Sequence, residues 1–245
     1  MADPAVTGDS GLQSGVLEDL REAENYQRWL AGLAVPYLGT DPIEIGSGLG
    51  DYAELWARRL GQMTATEADP ARLAALEARF GGDDRPPGDG RVNVRRLTAP
   101  VDEDAEHTAV VAYNVLEHIP DDVGALRAFR RLVRPGGAVV LLVPAFGFAM
   151  SRFDVQIGHQ RRYTRRSLTA ALAASGLRAE RVQYVNSAGL LAWLVMMKLL
   201  RQRPRAGLPL RAYDRLVVPV VRRLEGRVTP PFGQSVFAVA RPAES

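Results

Sequence analysis

Glu44-Ile45-Gly46-Ser47-Gly48-Leu49-Gly50 places a carboxylate just ahead of three glycines at alternate positions. Glycines so spaced let a backbone turn tightly and come close to a ligand. Dinucleotide sites use Gly-x-Gly-x-x-Gly, with the pyrophosphate on the N-terminus of the next helix. Here Asp51 stands where the third glycine would be, and its charge would repel a pyrophosphate. A nicotinamide oxidoreductase is therefore disfavoured. Glu44 can orient the turn, or reach a cationic ligand directly or through water. Glu67 follows Gly50 by 17 residues, the spacing of an acidic side chain that accepts from ribose hydroxyls. The candidate bases are His107, His118 and His159. His107 lies in a polar stretch and reads as a solvated loop residue. There is no cysteine, which excludes thiolate nucleophiles, cysteine-ligated zinc, iron–sulfur clusters and disulfide scaffolds.

Strands alternating with helices must position these groups. Short apolar runs at 42–46, 63–67, 92–97, 109–114 and 138–143 read as strands, and the last, apolar throughout, suits a parallel strand buried on both faces. Helical patterns fill 52–60, 70–80 and 121–133. Asp69-Pro70 supplies an N-cap and a first-turn proline, and Pro135-Gly136-Gly137 supplies a stop. Residues 1–13 read as a frayed terminus and 81–90 as a loop. A single helix with Leu17, Leu20, Ala23, Tyr26, Trp29, Leu30 and Leu33 precedes the first strand, closed by Pro36 and Gly39. Later come a helix near 166–175 and strands at 178–185 and 235–240. The 187–231 segment is too long for a hairpin loop and must hold helices, divided near Pro219. The pattern predicts an α/β doubly wound, mostly parallel, seven-stranded Rossmann-like sheet in a single domain over 1–245. Within it, 14–38 forms an N-terminal helical lid, 41–186 with 232–242 the cofactor-binding core, and 187–231 a helical insertion or cap.

Charge is uneven along the 245 residues. From Ser151 onward there are 17 basic and 5 acidic residues, against 14 and 23 before it. The densest run is Arg161-Arg162-Tyr163-Thr164-Arg165-Arg166. It reads as a solvated helix start, or as a surface for an acidic acceptor, a phosphate or a membrane. The first twenty residues carry Asp3, Asp9, Glu18 and Asp19 and no apolar leader, and no apolar run reaches the ~20 residues of a spanning helix. A cytoplasmic protein is expected.

Glu44-x-Gly46-x-Gly48-x-Gly50, Glu67, Asn114-Val115-Leu116-Glu117-His118-Ile119-Pro120 and Arg134-Pro135-Gly136-Gly137, in that order, resemble the motifs of class I S-adenosylmethionine-dependent methyltransferases. The variant is similar to the ubiquinone and small-molecule biosynthesis group. The resemblance spans roughly residues 20–186 and implies S-adenosylmethionine as cofactor. It implies that Gly46, Ser47, Gly48 and Gly50 pass beneath the methionine and ribose. Glu44 would hold the ammonium side, Glu67 both ribose hydroxyls, and Ala68 the adenine. Asn114 would lie near the methyl group, and Tyr26 and Trp29 on a helix closing over the site. The family's acidic residue after the third strand is missing here, where Leu97-Thr98-Ala99-Pro100 stands.

Methyl transfer from a sulfonium is an in-line displacement, so the protein positions the nucleophile and excludes water. A base helps where the acceptor bears a proton. His118 and His159 follow the fourth and fifth strands, where open α/β sheets bind ligands. They are the catalytic candidates, with Glu117-His118 as a structural pair in the alternative. Some relatives in the resembling group bind a divalent metal near this motif, and Glu117, His118 and Asp121 are the residues that would do so. The preferred reading has no metal. The expected activity is methyl transfer to an oxygen or nitrogen nucleophile of a small or lipid-like molecule in a biosynthetic pathway, with an anionic acceptor as one option. The alternatives are a nucleic-acid enzyme, a membrane-associated lipid enzyme or a non-catalytic binding module. No nucleic-acid partner is expected: Asn114-Val115-Leu116 replaces the Asn/Asp-Pro-Pro-aromatic motif of base-amino enzymes. Peripheral membrane contact or a homodimer through 187–231 is an open alternative, since 189–200 is apolar and arginines follow it.

Overall fold

The computed structural model describes residues 8–82, 88, 90–98, 101, 104, 107–199 and 206–243. The predicted loop at 81–90 falls largely outside these residues, as do Ala99, Pro100, Arg201, Arg203 and Arg205. Seven strands form one sheet: β1 (Pro42–Glu44), β2 (Gln62–Glu67), β3 (Arg91–Arg96), β4 (His107–Tyr113), β5 (Val133–Pro144), β6 (Leu177–Val185) and β7 (Ser235–Pro242). Their order is β3-β2-β1-β4-β5-β7-β6, with β7 antiparallel to both neighbours and β1 to β5 parallel. The order reverses between β1 and β4, and ligands of open α/β sheets bind at that switch point, beyond the carboxyl ends of the strands.

Helices cover both faces, which is why β4 and β5 are apolar on alternate and intervening positions alike. One face carries α2 (Glu24–Leu38), α3 (Asp51–Leu60) and α4 (Pro70–Phe80), burying Leu30, Trp56 and Leu76 against the sheet. The other carries α5 (Asp122–Arg131) and α7 (Arg165–Ala174), burying Phe129, Leu168 and Leu172. A short helix, α6 (Arg152–Gln156), lies in the loop after β5. Asp69 caps α4 through the amides of Ala71 and Arg72, as its sequence predicts.

Several elements differ from the sequence expectation. The single N-terminal helix is two, α1 (Ser10–Leu20) and α2. Asp9 caps the first, so the chain is ordered well before residue 14. The second starts where it does because Asp214, far along the chain, accepts from the amides of Asn25 and Tyr26 at 3.1 and 2.8 Å. Pro36 lies inside the last turn of α2 instead of ending it. His107 is no solvated loop residue: it begins β4, pairs with Val133 and places Nδ1 3.2 Å from Asp41. Arg134 to Gly137 belong to β5, because the backbone regains register across an irregularity between His107 and Ala109.

Between β6 and β7 lie α8 (Ser187–Leu194), a π-helical turn at Val195–Leu199, then α9 (Leu208–Ala212), a second π turn at Tyr213–Val217 and α10 (Val218–Glu225). Pro219 falls in the first turn of α10, where its missing N–H costs nothing. No described helix is long and apolar enough to cross a membrane.

Candidate active site

The glycine run turns as its composition demands. Gly46, Gly48 and Gly50 have φ of 69°, 59° and 83°, a region closed to most side chains. Space forbids side chains as well. A Cβ on Gly46 would lie 2.7 Å from Val115 Cγ2, and one on Gly48 would lie 2.8 Å from Leu17 Cδ1. The turn is tied to β2 by Ser47 N–H to Thr66 O (2.7 Å), Thr66 N–H to Ser47 Oγ (3.1 Å) and Thr66 Oγ1 to Glu44 O (2.7 Å). Asp51 begins α3 and is held by Arg21 and Arg79. It favours the helix dipole there and has its own cations.

Glu44 ends β1 beneath this turn and is 2% exposed. Its Oε2 is buried without a hydrogen-bond partner. Burial pushes its pKa up to about 8, against a lowering bond from Ser47 and with the charges of Asp51 and Glu67 adding to the rise.

Glu67 ends β2 and is also buried. Its Oε1 accepts from the amides of Ala68 and Asp69, both at 2.9 Å, and from Arg72 Nη2 at 3.3 Å. Its Oε2 accepts from Gly48 N–H at 2.9 Å. With about two lone pairs per carboxylate oxygen, Oε1 is saturated and Oε2 can take one further donor. The same glutamate thus anchors the glycine turn and pairs with a buried arginine.

The element lying on the turn is α1. Ser10 Oγ donates to Asp69 Oδ2 at 2.6 Å, and Arg72 reaches Ser10 and Gln13. At the other side Gln13 Nε2 donates to Ile157 O at 2.7 Å and Asp9 N–H to Gln156 O at 2.9 Å. α1 therefore ties the loop after β2 to the loop after β5, with Leu17 over Gly48. Tyr26 and Trp29 are placed differently. Trp29 is buried against Val218 and Val221, and Tyr26 packs edge-on to it at 6.4 Å.

Asn114 follows β4 at φ 53°, is exposed, and bonds through its amide to Leu142 O. The 3-10 turn at Leu116–His118 carries the chain into a cluster that joins the β4 and β5 loops. His118 and His159 meet edge-on with centroids 4.7 Å apart. His159 Nδ1 is 2.8 Å from Asp154 Oδ1, and its Nε2 is 3.7 Å from Glu117 Oε1. Asp154 also accepts from Arg162 Nε and Nη2 (3.0 and 2.7 Å) and from Ser151 N and Oγ (2.7 and 2.6 Å). Burial alone would raise its pKa, yet these donors hold it at about 2. An ionised Asp154 accepts only, so His159 Nδ1 donates in that bond and Nε2, facing Glu117, is the acceptor of that tautomer.

Glu117 is fully buried and both its carboxylate oxygens lack a hydrogen-bond partner. Burial raises its pKa to about 7, partly opposed by His159 and Arg162. For His118, burial, then His159 and Arg72, lower the value to about 3. So weak a base is neutral at working pH and takes protons poorly. Among the described residues, Glu117, His118 and His159 are the one group whose donor atoms, all within 4.8 Å, could share a metal ion. Asp121 is not among them; it caps α5 through Gly124 N–H.

Half of the arginine run is internally paired, while Arg165 and Arg166 stay exposed at the start of α7. Arg161 binds Pro120 O at 2.6 Å and lies 3.1 Å from Asp122, while Arg162 is spent on Asp154 and Ala145 O. Tyr163 donates to Asp122 at 2.8 Å, and burial drives its pKa far above the usual range. Asp154 and Ser151 escaped the sequence reading, and Arg162 was read only as part of a surface run. The signal was there, because Ser151-x-x-Asp154 is a capping box, and it forms.

The profile of a family described as a methyltransferase domain matches residues 43–141, which hold the glycine turn, Glu67 and the Glu117-His118 turn. Residues 43–141 thus match a methyltransferase domain, and the chain is similar to class I S-adenosylmethionine-dependent methyltransferases. It is similar to the ubiquinone biosynthesis O-methyltransferases of Erwinia tasmaniensis (30% identical over 118 residues) and of Xanthomonas campestris pv. campestris (33% over 116). Each match covers 45% of this chain and 45% of the relative, so the chain spans less than half the length of the curated relatives it matches. Among solved structures, the geranyl diphosphate C-methyltransferase of Streptomyces coelicolor superposes with a TM-score of 0.63 at 16% identity, covering 98% of this chain and 88% of that one. At that identity the likeness shows the fold.

Proposed function

We propose that this chain transfers a methyl group from S-adenosylmethionine to an oxygen or nitrogen nucleophile of a small or lipid-like molecule, with His159 as the base. The cofactor fits the chain's own residues. A buried carboxyl with an unpartnered oxygen beside three left-handed glycines suits an α-ammonium group, and Glu67 Oε2 has room for one ribose hydroxyl. Ser47, Ala68 and Asn114 follow β1, β2 and β4 at the carboxyl ends of those strands, which supports their grouping around one ligand. Once bound, S-adenosylmethionine supplies a methyl group already activated on a sulfonium.

The observation that carries the acceptor half is the Asp154–His159–Glu117 array. Asp154 fixes the ring with Nε2 presented, and His159 takes the proton as the acceptor's oxygen or nitrogen becomes nucleophilic. Asp154 then stabilises the imidazolium. Glu117, buried 3.7 Å from His159 Nε2, is uncharged below about pH 7 and becomes a second anion beside the ring above it. Trp193 on α8 donates to Ala149 O at 3.1 Å and covers Arg162 at 4.7 Å from ring to guanidinium. That supports a role for α8 as a wall that keeps water from the acceptor side. With Arg161 and Arg162 internally paired, only the exposed Arg165 and Arg166 of the run are left to favour an anionic acceptor.

The test is product formation from S-adenosylmethionine across a panel of phenols, amines and prenylated quinols. Turnover with at least one acceptor, falling ~10²–10⁴-fold in His159→Ala at unchanged cofactor affinity, is the expected result. Cofactor binding without turnover on any acceptor class would leave a binding module. Full activity in His159→Ala would remove the base.

A further inference from the structure

The outward face of the last helical segment has a composition that neither the core nor the crevice explains. From 206 to 232 the described chain exposes Leu208 (81%), Leu216 (71%), Val220, Leu224 and Val228 (70%). Leu216, Val220 and Leu224 recur every four residues, one stripe along the helix through α10, and Val228 follows in the bend just beyond its end. The opposite face is already satisfied: Val218 and Val221 pack on Trp29, and Asp214 caps α2.

Charge separates in the same way. The segment holds Arg211, Arg215, Arg222, Arg223 and Arg227, all exposed, against two acids, Asp214 and Glu225. Both acids turn inward. Asp214 binds the start of α2, and Glu225 accepts from the amides of Asn186 and Ser187 at 2.9 and 2.8 Å, capping α8. Arg211 is held by Glu22. Arg215, Arg222, Arg223 and Arg227 have no acidic partner among the described residues. The solvent face of this helix is thus an apolar stripe flanked by arginines with no anion.

We propose that this face, 208–228, lies in the interface of an anionic lipid bilayer, with Leu208, Leu216, Val220, Leu224 and Val228 inserted and the arginines on the headgroup phosphates. Helices of this pattern bind in the membrane plane. Basic residues add attraction that falls off within a Debye length. Arginine side chains also carry apolar stems that reach up from a buried stripe to the headgroups. A second copy of the chain fits less well, because a twofold contact would set the arginine sets of both copies against each other. The inference rests on no step of methyl transfer. Its consequence for the proposed function is an acceptor drawn from, or delivered at, a membrane.

The test is flotation of the full chain with vesicles of phosphatidylcholine alone and of equal phosphatidylcholine and phosphatidylglycerol. Binding is expected only to the anionic vesicles, falling at least tenfold in 0.5 M salt. Arg222→Gln with Arg223→Gln should weaken it by about fivefold per charge. Leu216→Ser with Leu224→Ser should abolish it, while circular dichroism and cofactor affinity stay unchanged. No binding to anionic vesicles overturns the proposal, as does equal binding to both kinds. A concentration-dependent dimer lost in the leucine variant, with no vesicle binding, assigns the face to a second copy instead and also overturns it.

Discussion

Glu44 makes cofactor binding a proton-linked event. Its carboxyl is 2% exposed, Oε2 has no partner, and burial sets its pKa at about 8. At pH 7 about nine molecules in ten then hold it neutral, and ionising it costs about 1.4 kcal/mol, rising to about 2.7 kcal/mol at pH 6. A ligand ammonium seated against Oε2 favours the anion. Binding of S-adenosylmethionine or S-adenosylhomocysteine at pH 7 should therefore release about 0.8 proton, and affinity should fall about two- to threefold from pH 8 to pH 7 and about eightfold from pH 7 to pH 6. The ligand's own α-amino group, near pKa 7.7–8.0, is mostly charged at pH 7 and below but only about half charged at pH 8, which makes the upper step the shallower one. Calorimetry in two buffers of different ionisation enthalpy reads the proton directly. Glu44→Gln has nothing to ionise, so its affinity should be flat with pH. At pH 8 it should bind about 1.5–3 kcal/mol more weakly than the parent, the worth of a bond to a charged group. By pH 6 the parent has lost that much to protonation, and the two should bind alike. A parent affinity unchanged between pH 6 and 8, or a glutamine variant that keeps the slope, would refute the assignment.

Asp154→Asn should lower kcat with little change in KM for cofactor, because the ring loses the partner that fixes its tautomer, and the pH–rate profile should move with it. Glu67→Gln should weaken cofactor binding while the fold holds. Glu67→Ala should cost ~3–5 kcal/mol of stability in denaturant melts, since it strands buried Arg72 without its anion. Asp214→Ala removes the cap of α2 and should destabilise by about 2 kcal/mol, the upper end for a lost cap. The raised pKa values of Glu44 and Glu117, about 8 and about 7, mean the folded chain holds protons the unfolded one releases. Their contribution is therefore fully present below the unfolded value of 4.5 and lost as pH rises through 7 and 8. Thermal melts without ligand should show stability declining across pH 5–8, less steeply in Glu117→Gln.

The sheet was legible because its determinants are local. Apolar runs such as Ala138 to Val143 can serve only as a strand buried on both faces, and Asp69-Pro70 can start a helix with no help from elsewhere. The glycine turn was legible for the same reason: three positive φ angles demand glycine at 46, 48 and 50, whatever surrounds them. What depends on groups far apart in sequence was not. The break between α1 and α2 is set by Asp214, almost two hundred residues away, because a helix start needs an acceptor and does not specify where it comes from. Glu67 reads in sequence as a free ribose ligand, and only the packing of α4 and α1 shows it shared with Arg72 and Gly48. The arginines at 161 and 162 look like a patch until Asp122 and Asp154 are seen to neutralise them. Sequence places charges along a line. Burial, which decides whether Glu44 is a carboxylate or an acid, and pairing, which decides whether an arginine is available, exist only once the chain is closed.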